Sequence, residues 1–171
     1  DCTNADIISG IDWCVNNASK FNISVISISL GTKIVYTTYC DNDPTSGASS
    51  FRAPIDSAVV KNISVVIAAG NNGSTVGIAS PACIKNATAV SSTTKTDTFS
   101  AYNRANITDL LAPGSAITSV DFDGTFVAIS GTSMAAPHVS GSIALLQHFM
   151  KLTNNSQLNH NDAFLALNTT G

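Results

Sequence analysis

The residues best suited to chemistry lie in Ser130-Gly131-Thr132-Ser133-Met134-Ala135-Ala136-Pro137-His138-Val139. A Gly-Thr pair turns into an apolar run, which places Ser133 at the first residues of a helix. Free backbone N–H groups and the positive end of the helix dipole meet there, and both favour a developing anion. The N–H of Ser133 can itself point at an oxyanion. Ala135 and Ala136 are small enough to let the helix pack close to a sheet. For an isolated Gly-Thr-Ser the plain reading is an N-cap on a buried helix. A second segment, Val65-Val66-Ile67-Ala68-Ala69-Gly70-Asn71-Asn72-Gly73, runs from apolar residues into two amides. Taken alone, its Gly-Asn-Asn-Gly is a turn.

The elements that must position these residues follow from periodicity. Ile7, Ile8, Ile11, Cys14 and Val15 have helical spacing within Ile7 to Ala18. Val25 to Gly31 alternates large and small residues, is β-branched, and ends in Gly, so it reads as a buried strand. The polar stretch Thr32 to Ser50 is a loop, with turn signals at Asp43-Pro44 and Ser46-Gly47. Phe51 to Val60 reads as a helix that tolerates Pro54 in its first turn. Ser64 to Ala69 is a strand. Short strands are expected at Ala87 to Ser91 and Asp109 to Leu111. A hairpin turning at Asp123-Gly124 is expected over Ala116 to Ile129. Helices follow at Ser133 to Met150 and Asn161 to Leu167. This order gives an α/β domain: a mostly parallel sheet with helices on both faces, whose ligands bind at the carboxyl ends of the strands.

Gly131-Thr132-Ser133-Met134-Ala135-Ala136-Pro137-His138 resembles the serine motif of the subtilisin-like serine proteases (subtilases) at every family-typical position. Ala68-Ala69-Gly70-Asn71, upstream of it, resembles the family's oxyanion loop. Ile26-Ser27-Ile28-Ser29-Leu30-Gly31 resembles the strand that lines the substrate cleft. Ser80-Pro81-Ala82-Cys83-Ile84 resembles the segment beside the primary specificity pocket, and Leu110-Leu111-Ala112-Pro113-Gly114 the turn before the serine hairpin. The resemblance covers roughly residues 5 to 168, in the family's order.

The resemblance implies a subtilisin-like fold and a serine endopeptidase. Ser133 would be the nucleophile and the Asn71 amide a neutral donor to the tetrahedral oxyanion. Ser29, Leu30, Gly31, Ala68, Ala69, Gly70 and Ala79 would line the substrate pockets, with the polypeptide substrate added as a strand. None of these is acidic, which points to a broad or apolar preference rather than Arg or Lys at the cleaved bond. Subtilases order their triad Asp, His, Ser. Their Asp-Ser/Thr-Gly and His-Gly-Thr-His motifs are absent here.

The three histidines do not replace them. His138 lies five residues past Ser133, about 7.5 Å along the helix and about 140° around it, and reads as a packing residue. His148 lies about 22 Å along the same helix. His160 reads as a solvated loop residue. The expectation is therefore that residues 1–171 are the C-terminal portion of a single catalytic domain. Its missing N-terminal strands would carry Asp and His, and it would be inactive alone. That N-terminal part is then a partner. The resemblance also allows an inhibitory propeptide, and a sheet that lacks its first strands would expose an edge through which two copies could pair. No cofactor or metal is expected within these residues, while the family allows calcium in the full-length enzyme. The alternative is a subtilase-like fold retained as a peptide-binding or scaffold module.

Composition narrows the partners. Hydrophobic residues make up 44% and charged residues 11%, against a usual ~25% charged. Scattered basic residues and a net charge of −3 give no footprint for nucleic acid or an anionic membrane. No apolar run is long enough to span a bilayer. Sequons begin at Asn17, Asn22, Asn62, Asn72, Asn86, Asn106, Asn154 and Asn168, about twice the ~4 expected by chance for the acceptor pattern. With an even cysteine count they point to a secreted protein. Cys2–Cys14 and Cys40–Cys83 are the expected disulfides. This is one of the three pairings that four cysteines allow, against four buried free thiols.

Overall fold

Thr3 opens the first helix, α1 (Asn4–Phe21), with a reciprocal cap. Its hydroxyl accepts from the Asp6 N–H at 3.3 Å, and the Asp6 carboxylate accepts from the Thr3 N–H at 2.8 Å. Asn22 ends the helix in the left-handed region, at φ 54. The structure is a computed structural model and describes residues 2–170. The elements are β1 (Val25–Ile28), β2 (Val35–Tyr36), a 3₁₀ turn (Ala48–Phe51), α2 (Arg52–Val60), β3 (Ser64–Ala68), β4 (Ile78–Ala79) and β5 (Thr88–Thr93). After them come β6 (Leu110–Pro113), β7 (Ile117–Val120), β8 (Phe126–Ile129), α3 (Thr132–Asn154) and α4 (His160–Thr170).

Four strands form one parallel sheet in the order β1-β3-β5-β6. Every residue of β3 is buried, as a strand covered on both faces requires. Its side chains alternate between two cores. Val65 and Ile67 pack with Ile11, Val15, Phe51 and Ile55 of the layer that holds α1 and α2. Val66 and Ala68 pack with Ala135, Ala136, Val139 and Ile143 of α3. The expected parallel sheet with helices on both faces is thus present, and α3 crosses the sheet beneath its small-residue positions.

The structure departs from the sequence reading in several places. The loop after β1 is not free: β2 pairs antiparallel with β4, Val35 opposite Ala79 and Tyr36 opposite Ile78. A two-residue ladder leaves no alternating pattern to read. The same loop is tied by the Cys40–Cys83 disulfide, with Cα atoms 5.4 Å apart. Cys2 and Cys14, expected to pair, do not. Cys2 precedes α1 and Cys14 sits ten residues after Asn4, about 15 Å up the helix, beyond a disulfide's Cα reach of roughly 7 Å.

His160 is buried at the head of α4 rather than solvated, with 9% of its surface exposed. Gln147 of α3 draws that corner inward. Its amide donates to the Leu158 carbonyl and accepts from the Leu158 N–H, each at 2.9 Å. His138, read as a packing residue, is exposed instead, with Nδ1 at 2.8 Å from the Met134 carbonyl.

Candidate active site

Ser133 is the second residue of α3, and no side chain caps that helix. Its hydroxyl donates to the Ser29 carbonyl at 3.2 Å, and the Ser29 hydroxyl donates to the Ser133 carbonyl at 2.9 Å. The helix head and the end of the cleft strand are therefore joined at the serine itself.

Asn71 reaches the same point from the loop after β3. Its Oδ1 accepts from both the N–H of Thr132 at 2.9 Å and the Thr132 hydroxyl at 3.0 Å. A backbone N–H can only donate, so this contact fixes which end of the amide is the oxygen, and leaves Nδ2 as the donor. Thr132 is fully buried, and its Oγ1 also accepts from the Gly70 N–H at 3.0 Å. Two glycines make room. A Cβ on Gly131 would stand 3.0 Å from Asn71 Nδ2. Gly70 has φ +100, and a Cβ there would come within 2.8 Å of Ala79 Cβ.

An open cleft of about 240 Å³ is lined by Leu30, Gly31, Thr32, Lys33, Ala68, Gly70, Asn71, Asn72, Thr132 and Ser133. The expected residues Leu30, Gly31, Ala68 and Gly70 line it together with Asn71 and Ser133, and Ser29 stands beside the serine. Ala69 and Ala79 are fully buried and lie beneath the cleft; Ala79 donates its N–H to the Ala69 carbonyl at 2.8 Å. Sequence reasoning placed Asn72 beside the oxyanion loop only as a sequon residue whose glycan would crowd it, and did not give Lys33 or the orienting part of Thr132. Thr132 stood in the motif, but only its contact with Asn71 reveals the role.

No described histidine reaches this cleft. His138 lines a groove with Asp109, Leu110, Leu111 and Pro113; His148 lines a pocket with Asn22 and Lys151; His160 is buried in α4. Burial lowers the His160 pKa, and its Nδ1 has no hydrogen-bond partner among the described residues. Asp109, half-buried, has its pKa pushed up to about 6 by desolvation, opposed by the Ala89 N–H it accepts at 2.7 Å. No three His, Cys, Asp or Glu side chains come together among the described residues. No described helix is long and apolar enough to cross a membrane.

A serine at an uncapped helix head, lining one open cleft with a fixed amide at the carboxyl end of a parallel sheet, is an arrangement suited to a serine hydrolase. The profile of the subtilase family matches residues 1–162, and the chain belongs to that family of serine peptidases. It is 36% identical to the alkaline serine exoprotease A of Vibrio alginolyticus over 140 residues, covering 81% of this chain and 23% of that one. It is 36% identical to an extracellular serine proteinase of Thermus sp. (strain Rt41A) over 162 residues, covering 91% of this chain and 35% of that one. The crystal structure of a cold adapted subtilisin-like serine proteinase superposes with a TM-score of 0.75 at 35% identity, over 98% of this chain and 54% of that one. The chain spans under half the length of the curated relatives it matches.

Proposed function

We propose that this chain supplies the nucleophile and the oxyanion hole of a secreted serine endopeptidase. Ser133 Oγ attacks the peptide carbonyl carbon, and its proton passes to a base. The C–N bond breaks, the amine leaves carrying that proton, and the acyl group stays on Ser133 until water removes it. Asn71 Nδ2 and the Ser133 N–H donate to the oxyanion.

The observation that carries this reading is the Asn71–Thr132 contact, which commits the amide oxygen as an acceptor and leaves Nδ2, the donor end, for a substrate oxyanion. The base and its orienting carboxylate come from chain outside these residues, since none of the described histidines lines the cleft. Alone, this chain does not acylate. The substrate is a polypeptide lying along Ser29-Leu30-Gly31 as an added strand. Among the described residues the one charged side chain lining the cleft is Lys33, which disfavours a basic residue at the cleaved bond. Asn72, a sequon residue, also lines the cleft, so it carries no glycan. The N-terminal part of the domain covers the β1 edge, and in its absence two copies associate there. An inhibitory propeptide and calcium belong to the full-length enzyme.

The test is fluorophosphonate labelling of this chain and of the full-length protein, each beside its Ser133→Ala variant. Labelling of the full-length protein alone, abolished by the substitution, is expected. Labelling of the isolated chain would place a base within these residues. Labelling of neither would favour a fold that binds peptides without cleaving them.

A further inference from the structure

Asn103 has no exposed surface, and a fully buried amide must find its partners inside the protein. It finds all of them on one loop. Its Nδ2 donates to the Ala69 carbonyl and to Asn72 Oδ1, each at 3.2 Å. Its Oδ1 accepts from the Ser74 N–H at 3.0 Å. The Asn103 backbone N–H donates to the Gly70 carbonyl at 3.1 Å, and the Asn103 carbonyl accepts from the Ser91 hydroxyl of β5 at 2.7 Å. Residues 69, 70, 72 and 74 are thus tied through one side chain and its backbone to the interior of the sheet. Gly70 packs directly on it: a Cβ there would lie 2.7 Å from Asn103 Nδ2.

Asn71 sits between these tied residues and makes no bond to Asn103. Its own anchor is Thr132, on the opposite side. The peptide that carries Asn71 is therefore clamped before and after it from below, while its side chain is held from the helix. Asn103 does not bond to Ser133, and it meets the cleft only through Gly70 and Asn72, the two residues that flank Asn71 there.

We propose that Asn103 is a positioning residue for the oxyanion donor, setting the backbone beneath Asn71 so that its Nδ2 faces the cleft; the proposal rests on the role given to Asn71 above. A donor of this kind acts by being fixed before charge develops, and a misplacement of about 1 Å can cost on the order of 10²-fold in rate. A buried amide that merely satisfied the core would instead change how much protein folds, and leave the rate per folded site alone.

The experiment measures kcat and KM in the full-length protein, with active sites counted by end-point fluorophosphonate labelling. Asn103→Asp keeps the shape and the acceptor for the Ser74 N–H but removes both donor contacts. Asn72→Ala removes the Asn103 contact, and with it a 3.4 Å bond to the Lys33 carbonyl, from an exposed side chain, so the fold is not at stake. The expected result is a loss of about tenfold or more in kcat for N103D and of roughly 2–5-fold for N72A, with KM within about twofold. In an Asn71→Ala background neither substitution lowers kcat further. Unchanged kcat per site in both variants overturns the proposal, as does an equal loss with and without Asn71. If Asn71→Ala alone leaves kcat intact, the donor assignment itself fails and the proposal goes with it. If only the Asn103 result fails, the donor assignment stands.

Discussion

Ser29 and Ser133 each donate a side-chain hydroxyl to the other's carbonyl, at 2.9 Å and 3.2 Å. The reason lies four residues further along α3. The Ser133 carbonyl would accept from residue 137 in a regular helix, but Pro137 has no N–H. The proline leaves that carbonyl without an intrahelical partner, and the Ser29 hydroxyl takes the place. Ser29→Ala is expected to cost about 1 kcal/mol of stability, a fall in Tm of roughly 2–4 °C. In the full-length protein it should also slow fluorophosphonate acylation several-fold, because the peptide after the nucleophile is loosened. Thermal melts and second-order labelling rates read both. No change in either would mean that water serves the exposed carbonyl equally well.

Thr132 carries a second expectation. Its hydroxyl donates to Asn71 Oδ1 and accepts from the Gly70 N–H, so it holds both the donor amide and the residue before it. Thr132→Val keeps the volume and removes both contacts. It should lower kcat of the full-length protein by up to about 30-fold, two lost bonds being worth roughly 1 kcal/mol each. Thr132→Ser should stay within about twofold of the native rate. The limit is removal of Asn71 itself, which in a subtilisin's own oxyanion hole costs about 10²–10³-fold in kcat. A valine variant as active as the native protein would show that the backbone N–H of Thr132 suffices to orient the amide.

Much of this was legible in the sequence because burial leaves its mark on neighbouring residues. The all-buried β3 reads as a continuous apolar run, and α3 begins where Gly131-Thr132 turns into small apolar residues. What was not legible depends on contacts between distant segments. Asn103 stands in a polar stretch, and nothing beside it announces that it is fully buried against residues some thirty positions upstream. His160 reads as solvated until the Gln147–Leu158 pair draws the α3–α4 corner inward. Cys2 and Cys14 are close in sequence, but α1 separates them by its rise. Local patterns fix elements and their ends, while buried polar partners are decided by packing.

The Cys40–Cys83 disulfide closes a loop of sequence separation 43 that holds α2 and β3. In the chain-entropy account a loop of this size contributes about 4 kcal/mol. The Cys40 N–H also donates to the Cys83 carbonyl at 3.0 Å, so the two segments stay adjacent in the folded state without the bond. Its loss should therefore act mainly through the unfolded chain. Cys40→Ser with Cys83→Ser is expected to lower Tm by about 10 °C. Reductant should do the same to the native protein and nothing to the double variant. Cys2→Ser and Cys14→Ser should leave the reductant response unchanged. A response that disappears with either of these would show that the pairing differs.

Asp109 gives a pH dependence with a definite sign. It directly precedes β6, accepts the Ala89 N–H at 2.7 Å, and borders both the groove lined by His138 and the cavity lined by Arg104. Desolvation pushes its pKa up to about 6 from 3.8. Between about pH 4 and 6 the folded chain then binds more protons at this group than the unfolded chain does. Stability falls as pH rises through that window and stays lower above it. Asp109→Asn keeps a carbonyl oxygen for the Ala89 N–H and removes the charge. Urea melts from pH 4.5 to 8 should show the variant gaining on the native protein as pH rises, and more stable at pH 7–8. His160, whose pKa burial lowers, works in the opposite sense: its contribution is lost as pH falls below about 6.5. It titrates in both proteins, so the difference between them isolates Asp109. A variant less stable at pH 8 would show that the charged acceptor for Ala89 outweighs the cost of burying it.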